Sequence, residues 1–163
     1  MLIWKQHVIS TDNWTVVADD VPVTVDYPLV SLKRWLTEGA DQLRVRGAGI
    51  VIQSDDEVDI PALSPARHPL VAIAFDSAAD GRGFSQAQLL RRRGYTGDLR
   101  AIGAFGRDQL AFLVRCGFTS FALSAPEAAS GFAESLAVVS LVYQPSVDER
   151  QTVRDLRRSG AYG

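Results

Sequence analysis

The chain has 163 residues, 47% hydrophobic and 22% charged, with a net charge of −2 and a pI near 5.6. These proportions describe a globular domain large enough to bury a core without covalent staples. The charge balance argues against a general nucleic-acid or membrane-surface role, and the single cysteine cannot close an internal disulfide.

From the start of the chain, Ile3–Ile9 and Trp14–Val17 are β-type runs around Ser10-Thr11-Asp12-Asn13, which reads as a small hairpin. No charged leader with a long apolar core precedes them, and no apolar run nears the roughly 20 residues that cross a bilayer. A cytoplasmic location is therefore expected, and one cysteine fits a reducing compartment. Asp19–Pro28 alternates valine with polar residues and carries two prolines, as an extended arm or edge strand does. Ser31 can cap a helix from Leu32 to about Glu38, and a second short helix runs to Arg46 before Gly47.

The core begins with Gly49–Gln53, a continuous apolar run suited to a buried parallel strand. An acidic loop, Asp55–Asp59, and a proline-rich stretch follow. Leu70–Phe75 is the second core strand. Then one pattern occurs twice, 23 residues apart: Leu90-Arg91-Arg92-Arg93-Gly94-Tyr95-Thr96 and Leu113-Val114-Arg115-Cys116-Gly117-Phe118-Thr119. In each copy a glycine ends a helix and an apolar strand follows, Leu99–Gly103 and then Thr119–Leu123. Ser85 and Gln88 have capping-box spacing at the start of the first helix. Arg107–Cys116 is the second helix, Pro126–Leu136 a third, and Ala137–Tyr143 a last strand. These repeated βα units predict an α/β fold with a parallel sheet, either open or a partial βα-barrel, preceded by the hairpin. The domain is expected to span 1–146, as an arm (1–28) and a core (29–146). A polar, frayed tail is expected at 147–163.

Ligands of parallel α/β sheets bind beyond the carboxyl ends of the strands. The residues there are Ser54, Asp55 and Asp56, then Asp76 with Gly81-Arg82-Gly83-Phe84-Ser85, then Arg107 and Asp108, then Ser124 and Glu127. Glycines leading into a helix start, together with a guanidinium, suit an oxyanion, so Arg82, Gly83, Ser85 and Arg107 form a candidate anion site. Asp76 and Asp108 are the candidate acid–base groups beside it. The structural alternative pairs Arg82 with Asp76 or Asp80 around a well-capped helix. Gly-x-Gly without a third glycine supports no dinucleotide claim. Arg91, Arg92 and Arg93 form a basic patch, either a solvated helix end or a contact for an acidic partner. Cys116 reads as a packed core thiol. One cysteine and two separated histidines, His7 and His68, give no metal-ligand spacing, and no cofactor motif is visible.

Several blocks together resemble one bacterial family of unknown function. They are Asp80-Gly81-Arg82-Gly83-Phe84-Ser85, Leu89-Leu90-Arg91, Arg93-Gly94-Tyr95, Leu99-Arg100-Ala101, Arg107-Asp108-Gln109 and Arg115-Cys116-Gly117-Phe118, with Tyr143-Gln144-Pro145-Ser146 near the end. Members of that family are labelled oxidoreductases involved in sulfite reduction, a label that rests on gene neighbourhoods beside sulfite reductase. The resemblance implies an accessory protein of assimilatory sulfate and sulfite reduction that partners sulfite reductase or its electron donor. It supplies no catalytic residues and no electron carrier. The alternative is a small enzyme acting on a sulfite, sulfated or phosphorylated substrate at the carboxyl edge of the sheet. A partial barrel would also leave room for completion by a second copy.

Overall fold

The computed structural model describes residues 1–38, 47–58, 63, 67–137 and 151–159. Strands β1 (Leu2–Lys5) and β2 (Val8–Thr11) form an antiparallel hairpin. Six more strands follow: β3 (Thr15–Val16), β4 (Pro28–Ser31), β5 (Gly49–Ile52), β6 (Leu70–Phe75), β7 (Asp98–Gly103) and β8 (Ser120–Ala122). These six lie side by side in chain order, and each neighbouring pair is parallel. The hairpin joins the far side through an antiparallel β1–β8 pairing. The resulting sheet, ordered β2-β1-β8-β7-β6-β5-β4-β3, is open and curled into a half-barrel. The parallel α/β expectation holds, and of the two forms expected, open sheet or partial barrel, the sheet combines both: it is open and curled as half a barrel.

Helices α1 (Leu32–Glu38), α2 (Arg82–Arg92), α3 (Leu110–Arg115) and α4 (Phe132–Ala137) follow β4, β6, β7 and β8 in turn, and α5 (Val153–Arg158) comes last. Strand parity shows which face they cover. Val30, Ile50, Ile52, Val71, Ile73, Phe75, Leu99, Ala101 and Phe121 pack with Leu32, Trp35, Ala87, Leu90, Leu110 and Leu113 of the helices. Side chains of opposite parity, Leu29, Val51, Leu70 and Ala72, form a separate cluster with Met1, Trp14 and Ile102 and no helical residue. One-handed crossovers between successive parallel strands produce this one-sided winding.

The repeat is real in three dimensions. Gly94 and Gly117 both take left-handed backbone, with φ of 90° and 102°. Each passes a Schellman pair of bonds. Gly94 and Tyr95 N–H donate to the carbonyls of Arg91 and Leu90, and those of Gly117 and Phe118 to Val114 and Leu113. Arg91 staples the two copies. Its Nε and Nη2 donate to the Gly117 carbonyl (3.0 and 2.7 Å), and its Nη1 donates to the carbonyls of Tyr95 (2.7 Å) and Gly97 (3.0 Å).

Several expectations shift. The hairpin turns at Gln6–His7, inside the run Ile3–Ile9, while Thr15–Val16 lies at the opposite edge of the sheet. Neither Gln6 nor His7 is a turn-forming residue type, so the sequence hides the turn. α2 begins at Arg82, and Ser85 sits in its first turn without capping it. The expected helix over Pro126–Leu136 breaks into a 3₁₀ turn, Pro126–Ala129, and α4, separated by Gly131 at φ 73°. Part of the supposed tail is ordered. Thr152 and Asp155 form a reciprocal capping box that starts α5. The proposed helix ending at Arg46 and most of the strand expected over 137–143 lie outside the described residues.

Candidate functional site

Because β5, β6 and β7 are parallel neighbours, their carboxyl ends line up along one rim. There Ser54 Oγ donates to Asp76 Oδ2 at 2.7 Å. Gln86, buried on α2, donates through Nε2 to the carbonyls of Gln53 (2.8 Å) and Asp56 (3.2 Å), which ties the β5 loop to the helix. Asp80 receives three donors from Arg82: the backbone N–H at 3.0 Å, Nε at 3.0 Å and Nη2 at 2.7 Å. The side-chain bonds from Arg82, then its backbone N–H, hold the Asp80 carboxyl at a pKa of about 2. Arg82 is stabilised in its charged form chiefly by Asp80, with Asp55 and Asp76 also within electrostatic reach. Three carboxylates therefore surround one guanidinium, which already makes a bidentate pair.

The other candidate residues at this rim separate. Gly83 is buried, and a Cβ there would lie 2.7 Å from the Phe75 ring, so its bare backbone serves close helix–sheet packing. Ser85 is exposed on the first turn of α2. Arg107 and Asp108 sit on the exposed 3₁₀ turn Arg107–Gln109. Arg107 Nη1 reaches the Ser130 carbonyl at 3.4 Å, whereas Arg82 turns to Asp80, so the two guanidinium groups have different partners. Gln109 bridges the β6 and β7 loops, donating to the Ala78 carbonyl at 2.7 Å and accepting from Gly106 N–H at 2.9 Å.

On the outer helical layer the basic patch divides. Arg91 is the half-buried staple between the repeats, whereas Arg92 and Arg93 are exposed. Leu89 and Phe112 are also exposed, and Phe112 packs on Phe84 with ring centroids 4.8 Å apart.

A pocket of about 380 Å³ opens at the opposite rim, where β7 and β8 begin. Trp4, Lys5 and His7 of the hairpin form one wall, and Thr96, Gly97 and Thr119 of the two helix-to-strand turns form another. Phe118 and Leu136 give it an apolar side. Beside it lies an ion network. Asp98 accepts from Thr119 Oγ1 (2.5 Å), Ser120 Oγ (3.0 Å), Lys5 Nζ (3.0 Å) and Arg100 Nη2 (3.4 Å). Burial alone would raise the Asp98 pKa, but the hydrogen bonds from Thr119, Lys5 and Ser120 and the Lys5 charge outweigh it and hold the carboxyl below its usual range. Arg100, almost fully buried, also pairs with Asp12 at 2.5 Å. The hairpin turn bordering the pocket holds Gln6 and His7 at φ 50° and 64°, a backbone that non-glycine residues adopt at a cost of about 1 kcal/mol or more each.

The model of a family described as "Bacterial protein of unknown function (DUF934)" matches residues 49–154. The chain belongs to this family. No curated protein and no solved structure matches it significantly. The matched span starts at β5, so it takes in both copies of the repeat, all of the carboxyl rim and the Asp98–Arg100 segment, and leaves out the hairpin.

Sequence reasoning aimed at the carboxyl ends of the strands and passed over the pocket at their amino ends. One signal did point there. The repeat places Thr96 and Thr119 at equivalent positions, each two residues after a helix-ending glycine, and both line the pocket.

Proposed function

We propose that the protein is an accessory component of assimilatory sulfite reduction in the bacterial cytoplasm, docking on sulfite reductase or its electron donor. The pathway comes from the resemblance carried by the 80–118 blocks. The observation that supports a docking role is the outer face of α2 and α3, where exposed Leu89 and Phe112 share the helical layer with exposed Arg92 and Arg93. Aromatic anchors and arginines are the residue types that dominate protein interfaces, and a basic rim speeds encounter with an acidic partner. An accessory role also fits a chain whose single cysteine cannot assemble an iron–sulfur cluster.

The test is a pull-down of tagged protein with purified sulfite reductase. The variants are Arg92→Glu/Arg93→Glu and Phe112→Ala, chosen to leave the Arg91 staple intact. Capture by the native protein and its loss with both variants is the expected result. Equal capture by all three, or none by the native protein, rejects this docking face.

One observation favours a second reading. Ser54 and Asp76 are hydrogen-bonded at adjacent strand ends, on the same rim as the exposed amino end of α2. Such a pair suits a small enzyme with Asp76 as acid or base on an anionic substrate. Calorimetric titration with sulfite and adenylyl sulfate, native against Arg82→Ala, checks it. Binding that ignores the substitution removes Arg82 from the role.

A further inference from the structure

We infer that the pocket at the amino ends of β7 and β8 binds a small carboxylate with an apolar, preferably aromatic, body. Its volume, about 380 Å³, lies in the range of small-molecule sites. The apolar side comes from Trp4, Phe118 and Leu136, which the two repeats and α4 bring against the hairpin. Two of these three residues are aromatic, which suits an aromatic body on the ligand.

The polar side is rich in donors. Lys5 Nζ has three hydrogens, and Asp98 takes one. Among the described residues the backbone N–H groups of Thr96 and Gly97 find no acceptor, because the Schellman bonds end at Tyr95 and the next backbone bond begins at Asp98. His7 stands at the mouth, its ring 5.3 Å from that of Trp4. Some acceptors beside it already have donors. Asp98 receives four donors, and the carbonyls of Tyr95 and Gly97 are taken by Arg91. The Lys5 ammonium and the two N–H groups suit a ligand that accepts hydrogen bonds, and a carboxylate accepts the most.

Charge agrees with this. α2 and α3 both end at this rim, and helix carboxyl ends repel anions. Arg91 offsets that repulsion by lying across the ends of both helices. Asp98 is balanced by Lys5 and Arg100, and Arg100 also by Asp12. The wall therefore does not exclude an anion, and the Lys5 ammonium attracts one. The left-handed Gln6–His7 backbone places both hairpin donors at the opening, the kind of conformation that functional sites retain against its cost.

The test is a titration of the full-length protein with 3-phenylpropionate, followed by amide NMR shifts and tryptophan fluorescence. Propionate, 3-phenylpropanamide and sulfite serve as comparison ligands. Shifts confined to the amides of 5–7, 96–97 and 119 are expected, with 3-phenylpropionate binding at least about tenfold more tightly than propionate or the amide. His7→Gln and Lys5→Gln should each weaken it several-fold, and the exposed His7 provides the test if Lys5→Gln unfolds. Equal binding of the neutral amide overturns the carboxylate assignment. Equal shifts from sulfite overturn the apolar half. Shifts scattered over the surface, or absent, overturn the site. None of these outcomes depends on sulfite reductase, so failure here leaves the docking proposal standing on its own test.

Discussion

At the carboxyl rim the exposed Arg82 pairs with Asp80, two positions away; at the amino rim the almost fully buried Arg100 pairs with Asp12 across half of the chain, and the more exposed Lys5 pairs with Asp98. The difference is energetic as well as geometric. Exposed local pairs add little, because solvent screens them and two side chains lose freedom to form them. Shielded pairs are costly to break, because the surviving partner is left charged without its counterion. Charge at the amino rim thus locks the hairpin to β7 and β8, while at the carboxyl rim the neutral hydrogen bonds of Gln86 and Gln109, not charge, hold the loops.

Substitutions sharpen the contrast. Arg100→Leu leaves Asp12 and Asp98 without their shared buried partner and should cost ~3–5 kcal/mol in urea unfolding. Tyr95→Phe makes the first repeat resemble the second, where Phe118 stands. It removes hydroxyl bonds to the carbonyls of His68 (2.8 Å) and Asp98 (3.2 Å), for a loss of about 1–2 kcal/mol in the same assay.

Acid should act on the amino rim too. The folded-state pKa of Asp98 lies below its ordinary value of 3.8, so its contribution is complete above that value and is lost as pH falls beneath it. Stability measured from pH 6 to pH 3 should fall less steeply in Asp98→Asn than in the native protein. Parallel curves would show that Asp98 does not carry the acid limb. The smallest effect belongs to the other rim. Arg82→Ala should leave the Tm unchanged, and a clear drop would end the contrast between the rims.

How much of this was legible depends on the range of the signal. Gly94 and Gly117, with the aromatic residues after them, announce helix ends through local chemistry, and both appear as read. The β5 and β6 runs were clear because strands buried on both faces are uniformly apolar. The turn at Gln6–His7 was not, since its left-handed backbone is imposed by the Leu2–Thr11 ladder and not by residue type. Arg91 looked identical to Arg92 and Arg93 in sequence; only the packing of α2 beside the second repeat separates the structural cation from the exposed ones. The Asp98–Lys5 pair, like the pocket it borders, spans 93 positions and leaves no local trace.

That β1 pairs with β8 also sets a schedule. Ile3 meets Ala122, so the first strand made must wait for ~120 further residues before its inner edge is covered. The six parallel strands can assemble in the order of their synthesis, each against its predecessor. The hairpin, with Val8 and Ile9 exposed, is then the last piece to lock although it is synthesised before the six parallel strands. Any factor that shields the nascent amino end would therefore matter most late in translation, just before β8 emerges.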